Sequence, residues 1–390
     1  MGKRLRVGVF GLGIGKFHVE GWDALTDEGV DIVALCDLDP EKLRYFRDQL
    51  AERHVKGPEI YQDYRTMLRQ AQVDAVSICT PNHLHEEIAV AAFEAGCHVL
   101  LEKPMAHTLK SAQVIHAAWK KSGKVGMAAL NNNYTLRFLA TKDMIGRGEV
   151  NKIQRIRGWW TRRTGVPFDG LWFTTNGLSG GGPGIDLMPH LLGYGLGLLG
   201  WPEVTTVWAE SSSDLNGNPA RGPYGSGKHD PMGTSDVEKS ISMRCLTSTG
   251  VTMDMEAAWG RHTDSERMGF EIIGSAGSIF IERVWPVNDG SDVSAIDTWQ
   301  FRGARLICGN WINFDTTLDP DKNPAWADPY MGRTKTQPEF LQCIKSGGVP
   351  ATSLDDMLAL QTVIEAAYRS AHALFPINIE DMKEGILAAT

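Results

Sequence analysis

The sequence predicts an α/β protein whose first 130 residues form a doubly wound parallel sheet. Three observations carry that expectation. Strand-like apolar runs alternate with helical stretches from Leu5 onward. A glycine-rich turn joins the first strand to the first helix. At 390 residues the chain is too long for one compact core and suits two domains, here 1–130 and 131–390.

The elements follow in order. Leu5–Phe10 is a short strand, then Gly11-Leu-Gly13-Ile14-Gly15-Lys-Phe-His18 leads into a helix through Leu25. Val30–Cys36 is a second apolar strand closed by Asp37, and Pro40–Arg53 is a helix with proline in its first turn. Residues 74–80 make a third strand, stopped by Pro81, and residues 86–95 a helix. Gly96 fits the left-handed position past a helix end. Val99, Leu100 and Leu101 form a run typical of a strand covered on both faces. Glu102 and Lys103 then fall at the strand's carboxyl end, where ligands bind in open α/β sheets. Pro104 prevents that strand from continuing. A helix near 111–122 and a strand at 125–130 complete the domain.

Composition bounds the rest. Apolar content of 42% and charged content of 22% are those of a soluble globular protein. A net charge of −8 argues against nucleic acid or an anionic membrane as partner. The six cysteines include no C-x-x-C pair, which suits reduced thiols in the cytoplasm better than disulfides or zinc. His229, Asp230, His262 and Asp264 have no regular ligand spacing, so no metal site is expected. There is no run long enough to span a bilayer and no secretory leader pattern.

The glycine turn sits where a phosphate loop belongs, in a Rossmann arrangement. Gly11, Gly13, Ile14 and Gly15 are its candidate cofactor contacts, with Lys16 where a third fingerprint glycine would fall. The loop reads as one residue short. Asp37, at the end of the second strand, is placed to bind the adenosine ribose hydroxyls, which favours NAD over NADP. The alternative for Asp37 is a turn residue before Pro40.

Thr80-Pro-Asn82-His-Leu-His85, followed by Ala-Gly-Cys-His-Val-Leu-Leu-Glu102-Lys103-Pro104, resembles the Gfo/Idh/MocA oxidoreductases, the family of glucose-fructose oxidoreductase and inositol dehydrogenases. The resemblance implies that Thr80, Asn82, His85 and Glu102 lie beside the cofactor. It also implies that Lys103 reaches both the nicotinamide ribose and the substrate hydroxyl. For Asn82 and His85 singly, loop capping before the next helix is the alternative.

The resemblance further implies an α+β second domain with a large, open, mostly antiparallel sheet through which subunits associate as a dimer, tetramer or higher homo-oligomer. Its final helix, at 353–374, is expected to pack back on the first domain. That helix carries apolar residues from Leu354 to Ile364 on one face, and Ser353 with Asp356 resembles a capping box. The polar stretches 211–235 and 287–329 read as loops or insertions, the second long enough for a pocket lid or subunit arm.

Ser179-Gly-Gly-Gly-Pro-Gly-Ile-Asp186-Leu-Met-Pro189-His190 resembles the family's motif with Asp and His four apart. By that resemblance His190 is the base, Asp186 its partner or a substrate ligand, and Lys103 the group that holds the substrate oxygen. Pro189 places the helix start near Asp186 and His190 in its first turn, because proline is tolerated there and not mid-helix. Gly193, Gly195 and Gly197 indicate close packing against another backbone. Tyr134, Arg162, Arg163 and Trp172 are candidate substrate contacts, whereas Trp159, Trp160, Trp201 and Trp208 read as sheet or interface packing. The expected activity is NAD-dependent oxidation of a ring hydroxyl in a sugar, glycoside or cyclic polyol. Transient oxidation that cleaves a glycoside, and a nucleotide-binding regulator without turnover, are the rival readings.

Overall fold

The computed structural model describes residues 3–54, 57–162, 167–213, 234–261, 263, 265–286, 299–307, 310–318 and 332–383. The chain divides into two compact units: Met1–Tyr134 with Gly332–Gln361, and Thr135–Met331 with Thr362–Thr390.

The first unit is built on six parallel strands: β1 (Leu5–Phe10), β2 (Val30–Cys36), β3 (Glu59–Tyr61), β4 (Ala75–Ile78), β5 (His98–Leu101) and β6 (Gly126–Ala128). Their order is β3-β2-β1-β4-β5-β6. The order reverses between β1 and β4, so the loops after those two strands open the crevice where such sheets bind ligands. Short β3 has one apolar residue, Ile60, flanked by Glu59 and Tyr61, which gives no apolar run to read. Val7, Val9, Leu35 and Leu100 fill the core. Trp22 joins them, its indole N–H donating to Ser77 Oγ at 2.8 Å and its ring lying 6.1 Å from Phe340.

The stretch 332–361 therefore belongs to this unit's core as well as to its edge. Ala128 N donates to Thr352 O at 3.0 Å, and Thr352 Oγ1 donates to Ala128 O at 2.7 Å, which covers the open side of β6. Ser353 N donates to Asp356 Oδ2 at 3.0 Å and Asp356 N donates to Ser353 Oγ at 3.2 Å. That reciprocal pair starts the Leu354–Ala373 helix as a capping box does.

The second unit carries a nine-stranded sheet: β7 (Ile153–Thr161), β8 (Val204–Ser212), β9 (Ser240–Thr247), β10 (Thr252–Ala258), β11 (Ser265–Gly274), β12 (Gly277–Pro286), β13 (Trp299–Ile307), β14 (Asn310–Leu318) and β15 (Ile377–Asn378). The order is β14-β13-β12-β11-β7-β10-β9-β8-β15, antiparallel throughout except for the β7/β10 pair. Within the expected loop or lid over 287–329, residues 299–307 and 310–318 are instead strands β13 and β14, and the rest of that stretch lies outside the described residues. Arg302, Gly303 and Arg305 interrupt the apolar alternation there, and sheet pairing overrides the local pattern. Much of 211–235 lies outside the described residues, as do His229, Asp230, His262 and Asp264.

Register separates the two faces of the sheet. Ile156, Trp160, Met243, Cys245, Met253, Met255, Met268 and Phe270 are buried, and the Met188–Leu199 helix packs against β7 and β10. A Cβ on Gly195 would lie 2.5 Å from Met253 Cε, so this helix glycine accommodates methionines of the sheet rather than another backbone. Tyr194 stacks on Phe270 with ring centroids 3.9 Å apart. The opposite face holds ion pairs: Asp254 accepts from Arg155 and Arg244, each at 2.6 Å, and Arg157 meets Glu271 at 3.0 Å. Exposed Trp208 and Leu246 share that face. Among the described residues no helix is long and apolar enough to cross a membrane.

Candidate active site

The glycine loop follows β1 and enters the helix Gly15–Asp23. Gly11 has φ +80°, and a Cβ there would sit 2.5 Å from the Cys79 carbonyl oxygen. Only glycine suits such a position. Gly15 is the first helical residue, and its Cβ would meet Cys79 Cβ at 3.2 Å. Gly15 thus takes the close-packing role of the third fingerprint glycine, one position early. Gly13 and Ile14 form the exposed tip. Asp37 ties this loop to its own turn: Leu12 N donates to Oδ2 at 2.6 Å and Asp39 N to Oδ1 at 2.8 Å. Helix capping is left to Asp39, which accepts from Glu41 N at 2.8 Å.

The loop after β4 lies alongside. Thr80 N would be 3.1 Å from a Cβ on Gly11. Thr80 Oγ1 is buried and has no hydrogen-bond partner among the described residues. Buried Asn82 opens a single 3-10 turn, Asn82–Leu84. His85 is fully buried, with Nε2 2.9 Å from the Thr80 carbonyl oxygen and Nδ1 3.0 Å from that of Pro104. Burial pushes its pKa down, against the opposing effect of the Thr80 and Pro104 carbonyls. His85 thus sits between the Thr80 and Pro104 carbonyls, where the loop after β4 meets the turn after β5.

Glu102 is likewise buried. One carboxylate oxygen lies 3.2 Å from His18 Nε2, and the other accepts from Lys103 N at 3.0 Å. Burial alone would raise its pKa, but His18, Lys103 and Arg333 hold it below the usual carboxylate range. Glu102 thus links the first helix to the backbone of Lys103, which is half-buried just past β5. Arg333 and His18 were not legible as members of this group. Arg333 comes from the C-terminal part of the unit and lies over the Phe17 ring at 5.0 Å. The Tyr134 hydroxyl is 3.1 Å from Thr352 Oγ1, and its ring packs on the first unit's core.

In the second unit, Asp186 ends one short helix, Pro183–Asp186, and His190 lies in the first turn of the next, Met188–Leu199. Leu187 separates the two, so Asp186 and His190 do not share one continuous helix face. Pro189 is in the first turn, where its missing N–H costs nothing. Asp186 has the Arg162 guanidinium at 3.8 Å, and both residues are buried. That guanidinium lies over Trp160 at 4.9 Å, and the Trp160 ring is 5.6 Å from the His190 ring. Trp160 belongs to this layered group rather than to plain sheet packing. Its neighbour Trp159 points to the opposite face, as strand alternation requires. Trp172 packs on Phe173 with centroids 4.2 Å apart, and Phe173 lies 6.3 Å from Trp259. Arg163 lies outside the described residues. Among the described residues no group of three or more side chains could hold a metal.

Residues 5–130 match the model of an oxidoreductase family with an NAD-binding Rossmann fold, and residues 138–280 match the GFO/IDH/MocA C-terminal domain. The chain belongs to the Gfo/Idh/MocA family. It is 32% identical to the D-glucoside 3-dehydrogenase of Escherichia coli K12 over 237 residues, which is 61% of this chain and 65% of that protein. It is 28% identical to the levoglucosan dehydrogenase of Pseudarthrobacter phenanthrenivorans over 325 residues, 79% of this chain and 80% of that one. A solved levoglucosan dehydrogenase in complex with NADH and levoglucosan has the same fold, with a TM-score of 0.78 at 23% identity, covering 97% of this chain and 100% of that chain.

The first unit of this family member fits NAD on two observations. Gly11, with φ +80° and no room for a Cβ against the Cys79 carbonyl, gives the tight strand-to-helix turn that a pyrophosphate loop requires. Thr80 contributes a buried hydroxyl whose hydrogen-bonding capacity the described protein does not use. Gly11 and Thr80 are the positions on which this fit rests.

Proposed function

We propose that the protein is an NAD-dependent dehydrogenase that oxidises a ring hydroxyl of a sugar, glycoside or cyclic polyol. The observation that carries this reading is the buried His190–Trp160–Arg162–Asp186 group in a chain whose first unit is of the NAD-binding family. His190 accepts the hydroxyl proton as general base. Lys103 stabilises the oxygen by charge and hydrogen bonding as the carbonyl forms. Asp186, paired with Arg162, accepts hydrogen bonds from substrate hydroxyls, and Trp172 offers an apolar ring face suited to a sugar. NAD, when bound, accepts the hydride that leaves the same carbon. Asp37 disfavours a 2′-phosphate, which makes NAD rather than NADP the partner.

We place the protein in the cytoplasm as a homo-oligomer. Among the described residues five cysteines are buried and free, which supports a reducing compartment, and the open sheet face with Trp208 and Leu246 supports association. The test of function is a panel of sugars, glycosides and inositols incubated with NAD. Net NADH equal to the ketone formed is the expected result. Aglycone release without net NADH, or NADH binding with no turnover across the panel, would overturn it.

A further inference from the structure

The turn that leads into Asp186 is held by two side chains far away in sequence. Gly182 caps the Pro183–Asp186 helix but has no side chain with which to do so, and Pro183 has no N–H. The N–H groups of Gly182 and Gly184 therefore need an outside acceptor. Glu238, just before β9, supplies it: Gly182 N donates to Oε2 at 2.9 Å and Gly184 N to Oε1 at 2.8 Å. The Tyr368 hydroxyl donates to the same Oε1 at 2.9 Å.

The fit leaves no slack. A Cβ on Gly181 or Gly184 would meet the Tyr368 hydroxyl at 2.1 or 2.5 Å, and one on Gly182 would meet the Glu238 carbonyl oxygen at 2.1 Å. The three glycines thus let a carboxylate and a phenol approach the backbone directly. The turn then transmits its position. Asp186 N donates to Gly182 O at 3.0 Å, Leu187 N to Pro183 O at 2.8 Å, and His190 N to Leu187 O at 3.1 Å.

We propose that Glu238, held by Tyr368, is a positioning residue that sets the placement of Asp186 and His190. The inference rests on the reading of His190 as the base. Glu238 touches no reacting group in this scheme; it acts through the backbone of the turn.

The test uses the full chain with Glu238→Ala, Glu238→Gln, Tyr368→Phe and His190→Ala, on a substrate the parent oxidises. Thermal melting, NADH affinity, kcat, KM and the pH profile of kcat are read for each. Tyr368→Phe, which deletes one oxygen, is expected to stay folded, keep NADH affinity within about twofold and lose roughly 3- to 10-fold in kcat. Glu238→Ala is expected to lose on the order of 100-fold in kcat, with the basic-group limb of the pH profile displaced. Glu238→Gln falls between them, because its amide keeps one acceptor but sets an NH2 group against a backbone N–H. Where Glu238→Ala fails to fold, Tyr368→Phe decides. Folded variants with parental kcat and pH profile overturn the proposal, as do losses that merely track the unfolded fraction. A dead His190→Ala beside parental Glu238 and Tyr368 variants overturns this inference alone. A fully active His190→Ala overturns the base assignment and this inference with it.

Discussion

Replacing Thr80 with valine separates the cofactor assignment from ordinary packing, because the two predict opposite signs. Thr80 Oγ1 is buried without a partner among the described residues. An unsatisfied buried hydroxyl costs about 1–3 kcal/mol relative to its hydrated state, and an isosteric methyl removes that cost. Without NAD, Thr80→Val is therefore expected to be as stable as the parent or up to about 1 kcal/mol more so. With NAD the sign reverses. A hydrogen bond from Oγ1 to the dinucleotide contributes roughly 0.5–1.5 kcal/mol, which corresponds to a loss of about 2- to 12-fold in affinity. The assays are a thermal melt without cofactor and a fluorescence titration with NADH, on the same preparations. Equal NADH affinity in a variant of parental stability would show that the hydroxyl does not face the cofactor. A marked loss of stability without cofactor would show that it has a structural role instead.

Other perturbations test neighbouring links. Gly11→Ala imposes a left-handed φ of +80° on an L residue and drives its Cβ against the Cys79 carbonyl, so the loop must move. NADH affinity is expected to fall at least about tenfold in titrations, and parental affinity would mean that the loop does not bind the pyrophosphate. Asp74 is held below the usual carboxylate range, because the bonds from Lys3 and Arg6 N outweigh the opposing effect of burial. A depressed folded pKa contributes stability above about pH 4 that is lost as pH falls through the folded value. Asp74→Asn should therefore be less stable than the parent in urea at pH 7, with the gap narrowing as pH falls below about 4; a constant gap would contradict the linkage.

Much of the first unit was legible because its signals are local. Apolar runs, glycine at a left-handed φ and a strand-ending Asp37 each act within a few residues. Strand β3 was missed because three residues pairing at a sheet edge leave little pattern. Strands β13 and β14 were hidden by arginines and glycine, since pairing across the sheet, not composition, makes them strands. At the site, the placement of His190 in a first turn followed from Pro189, a local constraint. The break at Leu187 did not, because no local residue type marks it. Glu238, Tyr368, His18 and Arg333 were invisible as site neighbours, since their distances along the chain are long and no motif joins them. The surroundings of Tyr134 and His85 were equally hidden: Thr352 lies beside the Tyr134 hydroxyl and the Thr80 and Pro104 carbonyls flank His85, contacts that no local motif shows.

The measurement that bears most directly on the assigned chemistry is the rate of NADH appearance from a confirmed substrate by parent, His190→Ala and Lys103→Ala. Circular dichroism and NADH titration on the same samples control for folding and cofactor binding. Loss of the base is expected to lower kcat by about 10²- to 10⁴-fold, and loss of Lys103 by at least about 10²-fold, in folded proteins that still bind NADH. Parental turnover by either folded variant would contradict the assignment of that residue to the reaction.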